Sequence, residues 1–243
     1  SLLKHPDQDV RFNAAASLLL KKDPKSLSVL ESILFSNDIG IQPQYSLGRS
    51  LMTWKLYYSL DNRNLDPYFQ SDLSFQVKDY LLQEISSLPE KDFISFTKKA
   101  IQLRQKKILP KIIFLLENLN TEASIELLKE GAKQLGFPLL RDYCHLSLYR
   151  LKQEDSSYIY KWTETTNDEK IIHLRPYAPK KIRISPTNYE LTVEETSRLF
   201  LEMYNALASS HTEKAIDILI SSIKNKNPKN RYLLAGLLLR TIA

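Results

Sequence analysis

Apolar residues recur at helical spacing along most of this chain, and the gaps between them carry helix-start and helix-stop chemistry. From Asp7 to Lys21 an apolar face with an alanine-rich strip predicts a first helix; Asp23-Pro24 closes it and opens the next. Leu27, Leu30, Ile33 and Leu34 predict a second helix ending near Ser36-Asn37. Ile39 to Gln44 reads as a loop around Gly40 and Pro43. Leu47, Leu51, Trp54 and Tyr58, spaced four, three and four apart, predict a third helix. After a break at 62–67, Phe75 to Leu88 is helical with Val77, Leu81, Leu82 and Ile85 on its buried stripe. Pro89 starts a further helix through Phe93, Phe96, Ala100 and Ile101. Ile108 to Leu119 is a short, very apolar helix in which Pro110 is tolerable only in the first turn. Asn120 or Thr121 caps a helix with Leu127, Leu128 and Ala132 inside; Gly136 ends it and Phe137-Pro138 opens the helix bearing Arg141.

After Gln153 the pattern breaks. Residues 154–191 hold Tyr158, Tyr160, Trp162, Tyr177 and Tyr189, and the runs 171–174 and 181–184 alternate in part around Tyr177-Ala178-Pro179, in the manner of a small β-hairpin. Helices resume at Thr192, where Thr192-x-x-Glu195 forms a capping box and Leu199, Phe200, Met203 and Leu207 make the inner face. A last pair runs over Thr212–Ile223 and Pro228–Ile242.

Three of these helices share one register. Val10-Arg11 precedes Ala14, Ala15 and Leu18; Leu140-Arg141 precedes Cys144, His145 and Leu148; Asn230-Arg231 precedes Leu234, Ala235 and Leu238. The first two arginines lie about three units of 43 residues apart, and the last two about two units of 45, which matches helix-pair repeats of roughly 40–47 residues. A reused helix implies an all-α chain, an α-solenoid of about five irregular helix pairs. The expected organisation is helical repeats over 1–153, an insertion over 154–191 and helical repeats over 192–243, all in one continuous domain. Ser1-Leu2-Leu3 reads as the tail of a preceding helix and the apolar run ending at Arg240 has no cap, so both ends are expected to be cut from a larger protein.

Asp9-Val10-Arg11-x-x-Ala14-Ala15-x-x-Leu18, followed by Asp23-Pro24 and Leu27-x-x-Leu30, resembles the HEAT-repeat family, in particular its bacterial phycobilisome-lyase-like subtype. Asn227-Pro228-x-x-Arg231 is a second match and the Arg141 helix a looser third, with Cys144 and His145 replacing the small pair. The resemblance implies a right-handed α-solenoid acting as a protein-binding scaffold. It also implies that Arg11, Arg141 and Arg231 are structural, each bonding an acidic side chain of a neighbouring repeat.

Composition narrows the chemistry. Only 5 glycines in 243 residues favours helices joined by polar turns over sheets and phosphate-cradling loops. A single cysteine, Cys144, excludes an internal disulfide and a cysteine zinc site; it reads as inert core, in keeping with a reducing cytoplasm. No apolar run is long enough to span a bilayer. The four histidines lie far apart without metal-ligand spacing, and no Walker loop, dinucleotide fingerprint or nucleophile elbow is present, so no catalytic residue, metal or cofactor is assigned.

The net charge of +6 permits an acidic partner. Lys98, Lys99, Arg104, Lys106 and Lys107 form a basic patch, extended by Lys111, and further clusters surround Lys180 and Lys229. Three such patches with Tyr177 or Trp162 as stacking platforms would suit nucleic acid, as in HEAT-fold repair glycosylases. Yet the paired tryptophans beside an aspartate by which such enzymes resemble one another have no counterpart here. The main expectation is therefore a non-enzymatic scaffold with a protein partner. Its contact residues are expected in the insertion, at Tyr158, Tyr160, Trp162, Tyr177, Lys180, Lys181 and Arg183. The other reading of that segment is a flap folded back over an exposed edge of the helical array.

Overall fold

Helices dominate the computed structural model, which describes residues 1–36, 39–45, 52–58, 77–105, 108–133, 138–166 and 193–242. By its internal packing the chain divides into two units, Ser1–Leu115 and Leu116–Ala243.

The first unit opens with a short 3-10 turn at Leu2–Lys4 and helix α1, Gln8–Leu20. Asp7 caps α1 by accepting from the Asp9 amide at 2.8 Å, satisfying one of the donors that a helix start leaves unpaired. Arg11 turns back, its Nη1 donating to the carbonyls of His5 at 2.6 Å and Pro6 at 2.8 Å. Asp23 then caps a 3-10 turn at Pro24–Ser26, which leads into α2, Leu27–Leu34. Phe12, Leu19, Leu30 and Ile33 are fully buried between them.

A β-hairpin follows: β1, Ile39–Tyr45, pairs antiparallel with β2, Met52–Tyr58, in the register Ile41 to Leu56 and Pro43 to Trp54. This corrects two sequence expectations, the loop at Ile39–Gln44 and the helix through Trp54 and Tyr58. Helix α1 supplies the reason. Asn13 donates from Nδ2 to the Trp54 carbonyl at 2.9 Å and accepts the Trp54 amide at 2.9 Å, while Asp9 accepts the Leu56 amide at 2.7 Å. One turn of helix thus presents a carboxylate and an amide that finish the outer edge of β2, an edge otherwise left with unpaired backbone groups. Pro43 faces Trp54, whose amide and carbonyl turn away from β1 toward Asn13, so its missing N–H removes no bond from this ladder.

Helix α3 covers 77–85, α4 Glu90–Gln102 and α5 Leu109–Leu119, the last crossing the unit boundary with Pro110 in its first turn, as expected. Phe96 on α4 stacks on Phe35 with centroids 5.3 Å apart, and Ile85, Phe93 and Ile112 complete this core.

The second unit contains α6, Glu122–Lys133; α7, Pro138–Arg150; α8, Ser157–Thr165; α9, Val193–Ala208; α10, Glu213–Asn225; and α11, Arg231–Ile242. Thr121 caps α6 reciprocally, its amide donating to Ser124 Oγ at 2.9 Å and its Oγ1 accepting the Ser124 amide at 3.4 Å. Helices α6 and α7, α8 and α9, and α10 and α11 pack in pairs. Between pairs, the Tyr149 hydroxyl near the end of α7 donates to the Ala206 carbonyl near the end of α9 at 3.4 Å, and Arg240 near the end of α11 donates to the Asn205 carbonyl at 3.3 Å. Lys226, just past α10, donates to the Thr166 carbonyl just past α8 at 3.0 Å. Helices α7, α9 and α11 therefore lie side by side in one direction, as do α8 and α10.

Helix α8 lies within the segment expected to be an insertion. Ile159, Tyr160, Trp162 and Thr163 are its buried face. The expected hairpin around Tyr177, the capping box at Thr192 and the Gly136 cap lie outside the described residues.

Low glycine content has a visible consequence. Lys22, Arg104, Asn120, Lys152 and His211 all adopt positive φ, between 48° and 58°, just past helix ends. Beyond Lys22 the Asp23 amide reaches back to the Leu18 carbonyl at 3.0 Å, and beyond Lys152 the Gln153 amide reaches the Leu148 carbonyl at 2.8 Å. These closures are the ones glycine makes at least steric cost.

Candidate functional site

Helix α7 is apolar on more than one side because it is enclosed by α6, α8 and α9. Within that setting Asp142 is 1% exposed. The Tyr158 hydroxyl on α8 donates to its Oδ1, and Arg141 Nε lies 3.6 Å from the same oxygen. Burial pushes the Asp142 carboxyl above the usual carboxylate range, against the opposing pull of Tyr158, Trp162 and Arg141. Tyr158 is raised in turn, first by burial and then by the Asp142 charge, so it stays a neutral donor.

One turn along α7, His145 stacks on the Tyr158 ring at 3.7 Å between centroids and 18° between planes, and its Nδ1 lies 2.7 Å from Glu154 Oε2. His145, Glu154, Asp155, Ser157, Tyr158 and Lys161 line an open groove of about 490 Å³. Its walls mix a carboxylate pair with an imidazole, a lysine and one aromatic face. Such a surface can hold a peptide or a small polar group. Among the described residues no cluster of three or more His, Cys, Asp or Glu side chains is placed to hold a metal ion. Cys144, beside this site, is buried as expected, and burial with the Glu154 charge keeps its thiol protonated.

Of the expected contact residues that are described, Tyr158 lines this groove. Tyr160 and Trp162, expected to face a partner, are 9% and 6% exposed. The Tyr160 hydroxyl lies 2.7 Å from Thr212 Oγ1, with Lys214 Nζ 5.0 Å above its ring, and Trp162 meets Phe200 edge-on at 4.7 Å. Both fix α8 against α9 and α10. Tyr177, Lys180, Lys181 and Arg183 lie outside the described residues, as do Lys106 and Lys107 of the basic patch. In that patch Lys98 is exposed, Lys99 is paired with Glu31, and Arg104 closes α4 with φ of 51°; the neighbouring Lys111 pairs with Asp79 at 3.1 Å.

The three arginines bond differently from what the resemblance implies. Arg11 donates to the His5 and Pro6 carbonyls ahead of its own helix, Arg231 Nε donates to the Ile223 carbonyl in the last turn of α10 at 3.0 Å, and among the described residues Arg141 approaches an acid, the adjacent Asp142. Sequence reasoning missed Asp142, His145 and Glu154 as a group. Asp142 and His145 are three apart on a helix, a spacing that puts them on one face, but nothing local announces that Tyr158 will be laid across both.

A second surface stands out on α11. Tyr232 is 93% exposed, Leu239 70% and Ile242 62%, all along one side of the helix. Among the described residues no helix is long and apolar enough to cross a membrane. Comparison of the chain with protein-family models, with curated proteins and with solved structures returns no match.

Proposed function

We propose that this chain is a non-enzymatic α-solenoid of HEAT-like helix pairs that serves as a scaffold for a protein partner. One observation carries the reading: α7, α9 and α11 lie side by side in one direction, each paired with a helix of the other row. Stacked pairs of this kind bury their apolar stripes against neighbours and leave long helical surfaces open. The α7–α8 groove and the outer side of α11 are two such surfaces, one polar and aromatic, the other apolar.

Nucleic acid is the rival ligand suggested by the net charge. Lys99 and Lys111 stand in ion pairs with Glu31 and Asp79, which weakens the basic patch as a phosphate track. The test is a partner isolated by affinity from a native extract, identified, purified and titrated back, beside a titration with short duplex DNA. Stoichiometric protein binding with little salt dependence supports the scaffold. DNA binding that falls steeply with salt, and no protein bound, overturns it.

A further inference from the structure

We propose that one end of the first unit docks on an anionic lipid bilayer. Leu20 and Leu103 enter below the headgroups, and Lys21, Lys22, Lys25 and Arg104 sit at the level of the phosphates. The inference goes beyond the scaffold reading and does not depend on it. Two contacts bring these residues to one place. Phe35, just past α2, stacks on Phe96 of α4, while Glu31, about a turn earlier, pairs with Lys99, about a turn later. Helices α2 and α4 therefore run antiparallel, and the turn that opens α2 lies at the same end as the close of α4. That turn, from Leu20 to Lys25, joins α1 to α2; the close of α4 is Leu103-Arg104.

Both leucines stand on helix sides that are covered further back. Leu20 is seven places beyond Asn13, on the side of α1 that meets β2, and Leu103 is four beyond Lys99, on the side of α4 that meets α2. Each is nonetheless open, at 61% and 51% exposure. Around them Lys21, Lys22, Lys25 and Arg104 are exposed, and among the described residues none of the four has an ion-pair partner. By contrast Lys99 is neutralised by Glu31 and Lys111 by Asp79. The one acid in the two stretches, Asp23, is engaged in capping the turn before α2. Lys22 and Arg104 also hold positive φ, 58° and 51°, where glycine would close the helix with less strain. Each corner thus carries its charge against a backbone preference.

The mixture selects the partner. A phosphate track uses the cations but gives the leucines nothing to bury against. An anionic bilayer uses both, since apolar side chains leave water for the acyl boundary and each basic residue is drawn by the negative surface potential.

The full chain is floated with vesicles of phosphatidylcholine containing about one part in four phosphatidylserine, and with phosphatidylcholine alone. Binding is expected to the first and not to the second. Leu20→Ser with Leu103→Ser is expected to weaken it about tenfold or more, with helicity unchanged. Lys22→Gly and Arg104→Gly are each expected to weaken it about fivefold while raising the thermal midpoint, a combination that loss of the fold does not produce. Lys91→Glu, a larger charge change at the opposite end of α4, is expected to alter it by no more than about twofold. Binding that is absent, or that falls with Lys91→Glu as it does with Lys22→Gly, overturns the proposal. Indifference to the paired leucine change also does so, because no side chain then enters the bilayer. If soluble glycerophosphoserine displaces the chain at the concentration of the vesicle lipid, the headgroup alone is bound and the proposal likewise falls. Duplex DNA bound more tightly than the vesicles, without response to the leucine change, replaces the bilayer by nucleic acid. The scaffold reading is judged by the partner titration above, so either can fail while the other stands.

Discussion

Helices α1 and α7 begin and end alike, yet they organise different neighbours. Each has its arginine near the start, and eleven places on each is closed by a lysine at positive φ, Lys22 and Lys152. Helix α1 turns Asp9 and Asn13 toward β2 and completes the edge of a strand. Helix α7 has Leu139 and Tyr143 in those places and instead sets Asp142 and His145 against the tyrosine of another helix. The shared register therefore goes with a shared helix closure. The polar residues that vary within it decide whether the next layer is a strand or a helix, because a buried backbone edge must find donors and acceptors and a buried carboxylate must find a hydroxyl.

The strongest way to break this comparison is to remove the strand-holding pair. Asp9→Ala with Asn13→Ala deletes three bonds to β2 and is expected to cost about 3 kcal/mol, at roughly 1 kcal/mol each. Denaturant unfolding measures the loss, and amide exchange at Trp54 and Leu56 localises it. If those amides stay protected, the hairpin is held by its own ladder and α1 is only a neighbour. On the α7 side, Gly131→Ala forces a Cβ to 2.7 Å from Cys144 Sγ and is expected to cost about 1–3 kcal/mol. Cys144→Ala in the same chain should recover part of that, a coupling that a double-mutant cycle reads directly.

Smaller effects sharpen the shared part of the register. Lys22→Gly and Lys152→Gly relieve a positive φ and are each expected to stabilise by about 1 kcal/mol, seen as a higher midpoint. If only one of them does so, the two helix ends are not equivalent. The pH response of Asp142 is the most delicate test. Its folded pKa is raised above 3.8 by burial, so the folded state holds the proton more firmly than the unfolded chain. That contribution to stability is fully present below 3.8 and is lost as pH rises through the folded value. Asp142→Asn should flatten this dependence and unfold at higher denaturant than wild type at neutral pH, with the gap closing at acid pH. A gap that widens on acidification would mean that the carboxylate is held as an anion by Tyr158 and Arg141.

The helical segments were legible because each has a face and a boundary: Asp23-Pro24, Pro89, Thr121 and Pro138 are start signals that act through local backbone geometry. The β-hairpin was not, because Trp54 and Tyr58 fit a helical spacing as well as an alternating one. The choice was made by Asp9 and Asn13, more than forty residues away. For the same reason Tyr160 and Trp162 read as a recognition surface and proved to be core. An aromatic run has no sign of its own, and the partners that buried it, Phe200 and Thr212, belong to helices well down the chain.

By itself the sequence determined that this protein is built mostly from helices and where most of them start and stop. Those properties depend on neighbours three or four places apart. Only the tertiary structure decided that His145, Glu154 and Tyr158 share one groove, that Tyr158 bonds the buried Asp142, that β2 is finished by a helix, and that Tyr232 and Leu239 face outward while the matching residues of α7 do not. Burial and partnership are properties of what comes to lie against a residue, and along this chain those neighbours lie tens of residues away.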